Sequence, residues 1–196
     1  MMEMSVQGEE IVHNHGLNVA KISQQMSIEL NCSPVFIKTI YIAAFYHDIG
    51  KNYLPLNLLN KPDKLTFHER ELIKTHAVMG FIEGTKSLRE YPGNFSLYEQ
   101  DMITSVILTH HERFDGKGYP IGLKGHEIPL ASRITSYGDV CEALSAARTY
   151  KCISTMTDTL KIITEQSPGQ FDPELKEAFL ESIKKLNGDS LMANFS

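Results

Sequence analysis

Ser96 to Pro120 reads SLYEQDMITSVILTHHERFDGKGYP, and the change of character along this stretch decides how the chain is built. Ser96 followed three residues later by Glu99 is a capping-box pair, each side chain satisfying the other's backbone amide at a helix start. From there Met102, Val106 and His110 share one face, and Ile103, Ile107 and His111 the next, which is the spacing of an α-helix and not of a strand. The helix ends on two adjacent imidazoles, and Gly116 and Gly118 then break it. Adjacent histidines leave a helix at different angles, so both reach one buried site only if that site lies at the helix end. A metal ion is the usual reason for such a pair, and a solvated helix end is the plain alternative. The rest of the chain has to decide between them.

Working outward, helical periodicity dominates. Ile11, His15, Val19, Ile22, Met26 and Leu30 make one stripe of a long first helix. Ser33 as N-cap with Pro34 at the first helical position predicts a second helix through Tyr46, stopped at Gly50, with His47 and Asp48 in its last turn. Thr66 and Glu69 cap a third helix, whose inward stripe is expected to be Leu72, His76 and Met79. The glycines at 116, 118, 122 and 125 describe a loop that could carry a short hairpin. Pro129 opens a fifth long helix with Leu130, Ile134, Cys141 and Leu144 inward and Asp139 near its middle. Two shorter helices are expected over 155–165 and 172–186, and Leu54–Lys64 and Glu90–Phe95 read as loops. The fold class is therefore all-α, a bundle of about seven helices.

At 196 residues and 42% hydrophobic content, the chain is long enough for one well-buried core. We expect a single domain over 1–196 with 188–196 as a frayed tail. A net charge of −5 gives no broad basic field, which argues against a nucleic-acid polymer or a membrane surface as partner. Cys32, Cys141 and Cys152 are widely spaced and include no CxxC pair, which fits a reducing compartment better than a disulfide framework. There is no apolar run of about 18 residues, as a membrane span needs, and no basic-then-apolar leader. A cytoplasmic location without membrane insertion is the expectation. The amphipathic pattern starts almost at Met4, so the chain could also be a piece of a longer receptor.

His15, His47 and His76 sit on otherwise apolar stripes or at helix ends. Taken singly, each reads as a core histidine with hydrogen-bonded partners. Together with His110, His111, Asp48 and Asp139 they come from five helices, and a bundle pointing all seven inward would bury too many polar groups without partners. Metal ions would supply the partners. Seven nitrogen and oxygen ligands exceed the need of one cation, whereas two cations sharing a carboxylate use them naturally, and Asp48 is placed to be that bridge. A set without thiolate favours iron or manganese over structural zinc.

The run YHDIGK at Tyr46–Lys51, then His76, HHERFDGKGYP at His110–Pro120, Asp139 and RTYK at Arg148–Lys151 resembles, in this order, the HD-GYP family of cyclic di-GMP phosphodiesterases. The resemblance spans about His15 to Lys151. It implies an HD-domain bundle with a Gly-rich GYP loop. It also implies two divalent metals, one held by His15, His47, Asp48 and Asp139, the other by His76, His110 and His111 with Asp48 reaching across. Lys51, Arg148 and Lys151 match positions that contact substrate phosphate, and Tyr119 matches the signature tyrosine facing substrate, where it could stack on a guanine or bond a phosphate. Lys51 follows a helix-ending glycine, so its ammonium can swing over the site; with Asp48 it is the expected catalytic pair. Some family members hold a third metal through a glutamate where this chain has Ile11, so two metals are expected, although Glu142 keeps a carboxylate one turn after Asp139. Arg113 and Asp115 are expected to brace the loop, and Glu112 to accept from a ligating imidazole. His13, His68 and His126 read as surface or loop residues.

The implied reaction is hydrolysis of cyclic di-GMP to pGpG, and on to GMP more slowly, by a hydroxide that two metals activate. The same residues leave open a cyclic GMP-AMP phosphodiesterase. They also leave open a non-catalytic cyclic-dinucleotide receptor, or a module docking a GGDEF domain through the GYP loop. A different HD-fold enzyme, such as a nucleotide phosphohydrolase or a di-iron oxygenase, is the remaining rival, and the Gly118–Tyr119–Pro120 run argues against it.

Overall fold

Side-chain oxygens start three of the helices that shape this molecule. Ser33, Thr66 and Ser96 accept from the amides of Phe36, Glu69 and Glu99, and in the last two cases the glutamate returns to the cap amide. Each such cap stabilises its helix by about 1 kcal/mol. The computed structural model describes residues 6–91, 93, 95–146, 156–166 and 169–188. They form α1 (Val6–Glu29), α2 (Pro34–Phe45), α3 (Leu56–Leu59), α4 (Phe67–Glu90), α5 (Leu97–Thr109), α6 (Leu130–Ala146), α7 (Met156–Lys161) and α8 (Lys176–Gly188). Short 3-10 turns at Ile49–Tyr53, Gly125–Glu127 and Pro173–Leu175 and a π-helical turn at Ile162–Gln166 complete the set. There is no strand among the described residues, so the all-α expectation holds and the suggested hairpin does not form. The α-helix beyond the seven expected is the single turn α3, inside a segment expected to be a loop. Among the described residues no helix is long and apolar enough to cross a membrane.

α1 packs on α2, α6 and α8, α2 also on α5, and α4 on α5 and the Ile49–Tyr53 turn. Met26, Ile40, Val106, Ile134 and Phe179 are fully buried where these helices meet. Each side chain of that size contributes roughly 1.5–3 kcal/mol by leaving water. The segment after α7 closes the core: Tyr137 lies 4.5 Å from Phe171 and 4.9 Å from Phe179 by ring centroids, and its hydroxyl donates to the Asp172 carbonyl. Buried Asp172 also pairs with Arg133.

Two local expectations are corrected. α2 ends at Phe45, and His47 and Asp48 stand beyond it, because the Ile49 and Lys51 amides bond three residues back to Tyr46 and Asp48 and tighten the chain into a 3-10 turn. On α4, Leu72 and Met79 are 45% and 40% exposed, and the inward face is His76, Ala77 and Gly80. That face is cut down to small residues because main chain packs against it. A Cβ on Gly50 would stand 1.9 Å from the His76 carbonyl oxygen and 2.6 Å from the Gly80 nitrogen. Only a glycine lets the turn after Asp48 lie against α4, and this contact carries His76 to Asp48.

Candidate metal centre

Main-chain carbonyls aim three of the imidazoles. Nδ1 of His47 donates to Ala44 O at 2.6 Å, Nδ1 of His76 to Ile73 O at 2.7 Å, and Nδ1 of His110 is shared between Val106 O at 3.1 Å and Ile107 O at 3.0 Å. These are carbonyls three or four residues back, in α2, α4 and α5; His76 lies within α4, whereas His47 and His110 stand just past the ends of α2 and α5. A carbonyl only accepts, so each Nδ1 carries a hydrogen and each Nε2 turns a lone pair inward. His15, on α1, is aimed differently: its Nδ1 bonds the carboxylate of Glu142 on α6.

The four Nε2 atoms converge. His15 and His47 stand 3.3 Å apart, and His76 and His110 stand 3.5 Å apart. Asp48 lies between the pairs, with Oδ2 3.3 Å from His47 and 3.7 Å from His15, and Oδ1 3.2 Å from His76 and 3.7 Å from His110. Asp139, one turn before Glu142 on α6, sets Oδ1 3.4 Å from His15 and 3.7 Å from His47. His111 packs its ring 4.1 Å from that of His110 and 5.0 Å from that of His76. The seven residues expected as ligands are thus together, in two lobes that share Asp48. His47, His76 and His110 are buried, and so is Asp48, whose Oδ1 has no hydrogen-bond partner.

Lone pairs facing lone pairs around an orphaned carboxylate oxygen require positive charge between them. Protons can supply part of it. Burial works against a charged His15, but the hydrogen bonds it donates to Asp139 and Glu142 outweigh it and raise its pKa to about 9. Burial likewise opposes a charged His47, and the Asp48 charge with bonds to Asp139 and Asp48 lifts it to about 10. Burial also opposes the ionised forms of Asp48 and Asp139, yet the facing imidazoles hold both well below the usual carboxylate range. In the other lobe burial prevails: His110 is shifted down, and His111 well down, by burial and then by the neighbouring imidazoles. Divalent cations fit the same positions with the same donors. His76, His110, His111 and Asp48 form one group close enough to share an ion, and His15, His47 and Asp48 another.

Lys51 does not swing free over the site. Its Nζ lies 2.5 Å from Asp48 Oδ2, and although burial opposes its charge, that carboxylate keeps its pKa raised. The loop after α5 is tied down by its own side chains. Glu112, expected to accept from an imidazole, instead takes the amides of Ile121 at 2.7 Å and Gly122 at 3.0 Å. Arg113 and Asp115 brace the loop as expected, through bonds of 3.1 and 2.9 Å. Tyr119 stacks on His111 at 4.7 Å and has the Lys74 ammonium 5.4 Å from its ring centre. With the ring so engaged, its hydroxyl is what it offers a ligand. Burial, followed by the charges of Asp48 and Asp139, raises the Tyr119 pKa, so the hydroxyl remains a donor.

A cavity of about 330 Å³ opens beside the cluster, and its lining includes His110, His111 and Asp139 together with Lys74, Arg113, Lys117, Tyr119 and Gln170. Lys74, Lys117 and Gln170 were not expected here. Lys117 lies inside the loop motif and Lys74 two residues before His76, so both were within reach of a reading that weighed neighbours; Gln170 has no sequence signal. Arg148 and Lys151 lie outside the described residues, and so does the side chain of Ile11 that bears on a third metal. His13, His68 and His126 are exposed, as expected.

The family model described as "HD domain" matches residues 2–175. A cyclic di-GMP phosphodiesterase of Thermotoga maritima is 36% identical over 174 residues, covering 89% of this chain and 45% of that protein. A 3'3'-cGAMP-specific phosphodiesterase of Vibrio cholerae is 31% identical over 182 residues, covering 90% of this chain and 39% of its own length. The chain therefore spans less than half the length of these relatives. Among solved structures, Bd1817, an HDG"Y"P protein from Bdellovibrio bacteriovorus, superposes with a TM-score of 0.66 at 20% identity, over 88% of this chain and 52% of that one, which is a likeness of fold.

Proposed function

Because this chain belongs to the HD-domain family and carries the HD-GYP signature within it, we propose that it is a metal-dependent phosphodiesterase that opens cyclic di-GMP to linear pGpG and converts this more slowly to GMP. The observation that carries the proposal is the two-lobed donor set around Asp48, standing beside a cavity with cationic walls. The names of the relatives support the substrate class.

His15, His47, Asp139 and Asp48 Oδ2 would hold one cation, and His76, His110, His111 and Asp48 Oδ1 the other. Iron or manganese suits donors that are all nitrogen and oxygen. When bound, such cations supply Lewis acidity and a water of lowered pKa. The chain's own groups do the remaining work. Lys51, paired with Asp48 at the edge of the cluster, would turn its ammonium to the phosphate and stabilise the charge that grows on it. The Tyr119 hydroxyl donates to a phosphate oxygen, and Lys74 and Lys117 attract the anion into the cavity. Arg148 and Lys151 are assigned to the second phosphate from the motif alone. The Thr109–Ser132 and Glu112–loop bonds keep the helix end and loop from moving as substrate enters.

The test is incubation of manganese- or iron(II)-loaded protein, prepared without oxygen, with cyclic di-GMP and with cyclic GMP-AMP, and chromatography of the products. Accumulation of pGpG ahead of GMP is expected. Metal-loaded protein that binds a cyclic dinucleotide without cleaving it would make the chain a receptor. Cleavage of cyclic GMP-AMP in strong preference would move it to the substrate named for the Vibrio cholerae relative.

A further inference from the structure

The cavity lining includes hydrogen-bonding groups that neither metal lobe uses. Asp115 fixes the Arg113 guanidinium through Nε at 3.1 Å and Nη2 at 2.9 Å, and Nη1 donates to Gln170 Oε1 at 3.1 Å. Arginine has no acceptor, so the oxygen end of the Gln170 amide must face it. The NH2 end is left as a donor only, and it has no partner among the described residues. Main chain holds this amide in place: Phe114 N donates to Gln170 O at 3.0 Å and Asp115 N to Gly169 O at 2.8 Å. Gly169, at φ +74°, stands so close that a Cβ there would meet Asp115 at 2.9 Å. The two carboxylates of the loop motif are spent, Glu112 on the Ile121 and Gly122 amides and Asp115 on Arg113 and the Lys117 amide.

We propose that Gln170, oriented by Arg113, reads a base of the substrate and selects guanine over adenine. The proposal rests on the cyclic-dinucleotide reading for the class of ligand. Guanine turns two acceptors, O6 and N7, to its open edge, whereas adenine puts an amino donor where O6 would be. The spare N–H groups of Gln170 therefore pair with guanine and oppose adenine. The guanidinium N–H groups not taken by Asp115 and Gln170 add donors of the same sense. Because the pair is fixed before ligand arrives, little ordering cost opposes the discrimination.

A brace that merely ties the loop to the chain after α7 would show the same contacts, and Gln170→Glu separates the two roles. The variant keeps, and strengthens, the link to Arg113 while replacing the free donor by an acceptor. Binding of GMP and AMP to manganese-loaded protein is measured by calorimetry, beside turnover of cyclic di-GMP and cyclic di-AMP. Wild type should favour GMP over AMP by about ten-fold or more, and Gln170→Glu should erase or reverse that ratio without lowering the melting temperature. Gln170→Met, which has no polar end, should also erase it and decides the matter if the glutamate variant does not fold. Equal affinity of wild type for GMP and AMP, or a variant that weakens both ligands by one factor, overturns the proposal. Selective GMP binding without turnover of any cyclic dinucleotide would keep the base reading and remove the hydrolase reading. Turnover without base preference would do the reverse.

Discussion

The two lobes of the ligand cluster are built by different means. In the His76–His110 lobe both imidazoles are aimed by main-chain carbonyls, which no substitution removes while the helices stand. In the His15–His47 lobe, His47 has a carbonyl but His15 depends on one side chain, Glu142, reaching from α6 to α1. The first arrangement is as firm as its helices. The second is only as firm as the packing of α1 on α6, and it is open to adjustment by a single residue. The lobes also differ in charge: carboxylates favour protons on His15 and His47, whereas burial keeps His110 and His111 neutral.

Substitutions can test how far this difference extends. Asp48→Asn, nearly isosteric, strikes both lobes and should lower turnover by about a thousand-fold or more while metal analysis shows loss from both positions; unchanged metal content would remove Asp48 as the shared ligand. His110→Ala should cost about a hundred-fold in turnover and release one equivalent of metal, the His15 lobe keeping its own. Equal turnover by wild type and variant would sink the assignment of His110. Glu142→Ala should weaken only the His15 lobe, by about 10–100-fold in metal affinity, as losses of imidazole partners do. Glu142→Gln, which can still accept from Nδ1, should recover part of that affinity; two lobes weakened alike would dissolve the distinction.

Acidity sharpens the same comparison. Metal needs neutral imidazoles, so uptake at the His15 lobe must displace protons held up to pKa values of about 9 and 10. Its manganese affinity should climb by up to about ten-fold per pH unit for each proton displaced and level off once both imidazoles are neutral. The His110 and His111 contribution, shifted downward, should be flat above neutral pH. A manganese titration between pH 6 and 9 that gives one common slope would contradict the assignment of charge to the lobes. The smallest effect concerns the loop: Glu112→Gln gives up part of its hold on two amides, worth about 1 kcal/mol, and should raise KM a few-fold with kcat nearly unchanged in steady-state assays.

Much of this was legible in the sequence because it rests on local chemistry. Capping boxes at Thr66 and Ser96 are read from four residues, and histidines that interrupt apolar stripes stand out against helical period. What was hidden depends on distant main chain. The turn at Tyr46 tightens beyond what its own residues specify, and the inward face of α4 is set by Gly50, whose significance lies in the carbonyl of His76 across from it. Glu142 looked like a remnant of a third site until α1 placed His15 against it. Gln170 gives no sign at all, since nothing near it in the chain reports that Phe114 and Asp115 will bond its backbone.

That pairing of Phe114 and Asp115 with Gly169 and Gln170 also bears on where the chain can be cut. The motif residues end at Lys151, which suggests a boundary soon after α6 to anyone excising a minimal unit. Such a cut would discard the strip that staples the GYP loop, together with Phe171, Asp172 and Phe179, which close over Tyr137 and Arg133. A fragment stopping there would retain all seven donors and lose the surface against which the loop is set, so a serviceable truncation has to run through α8.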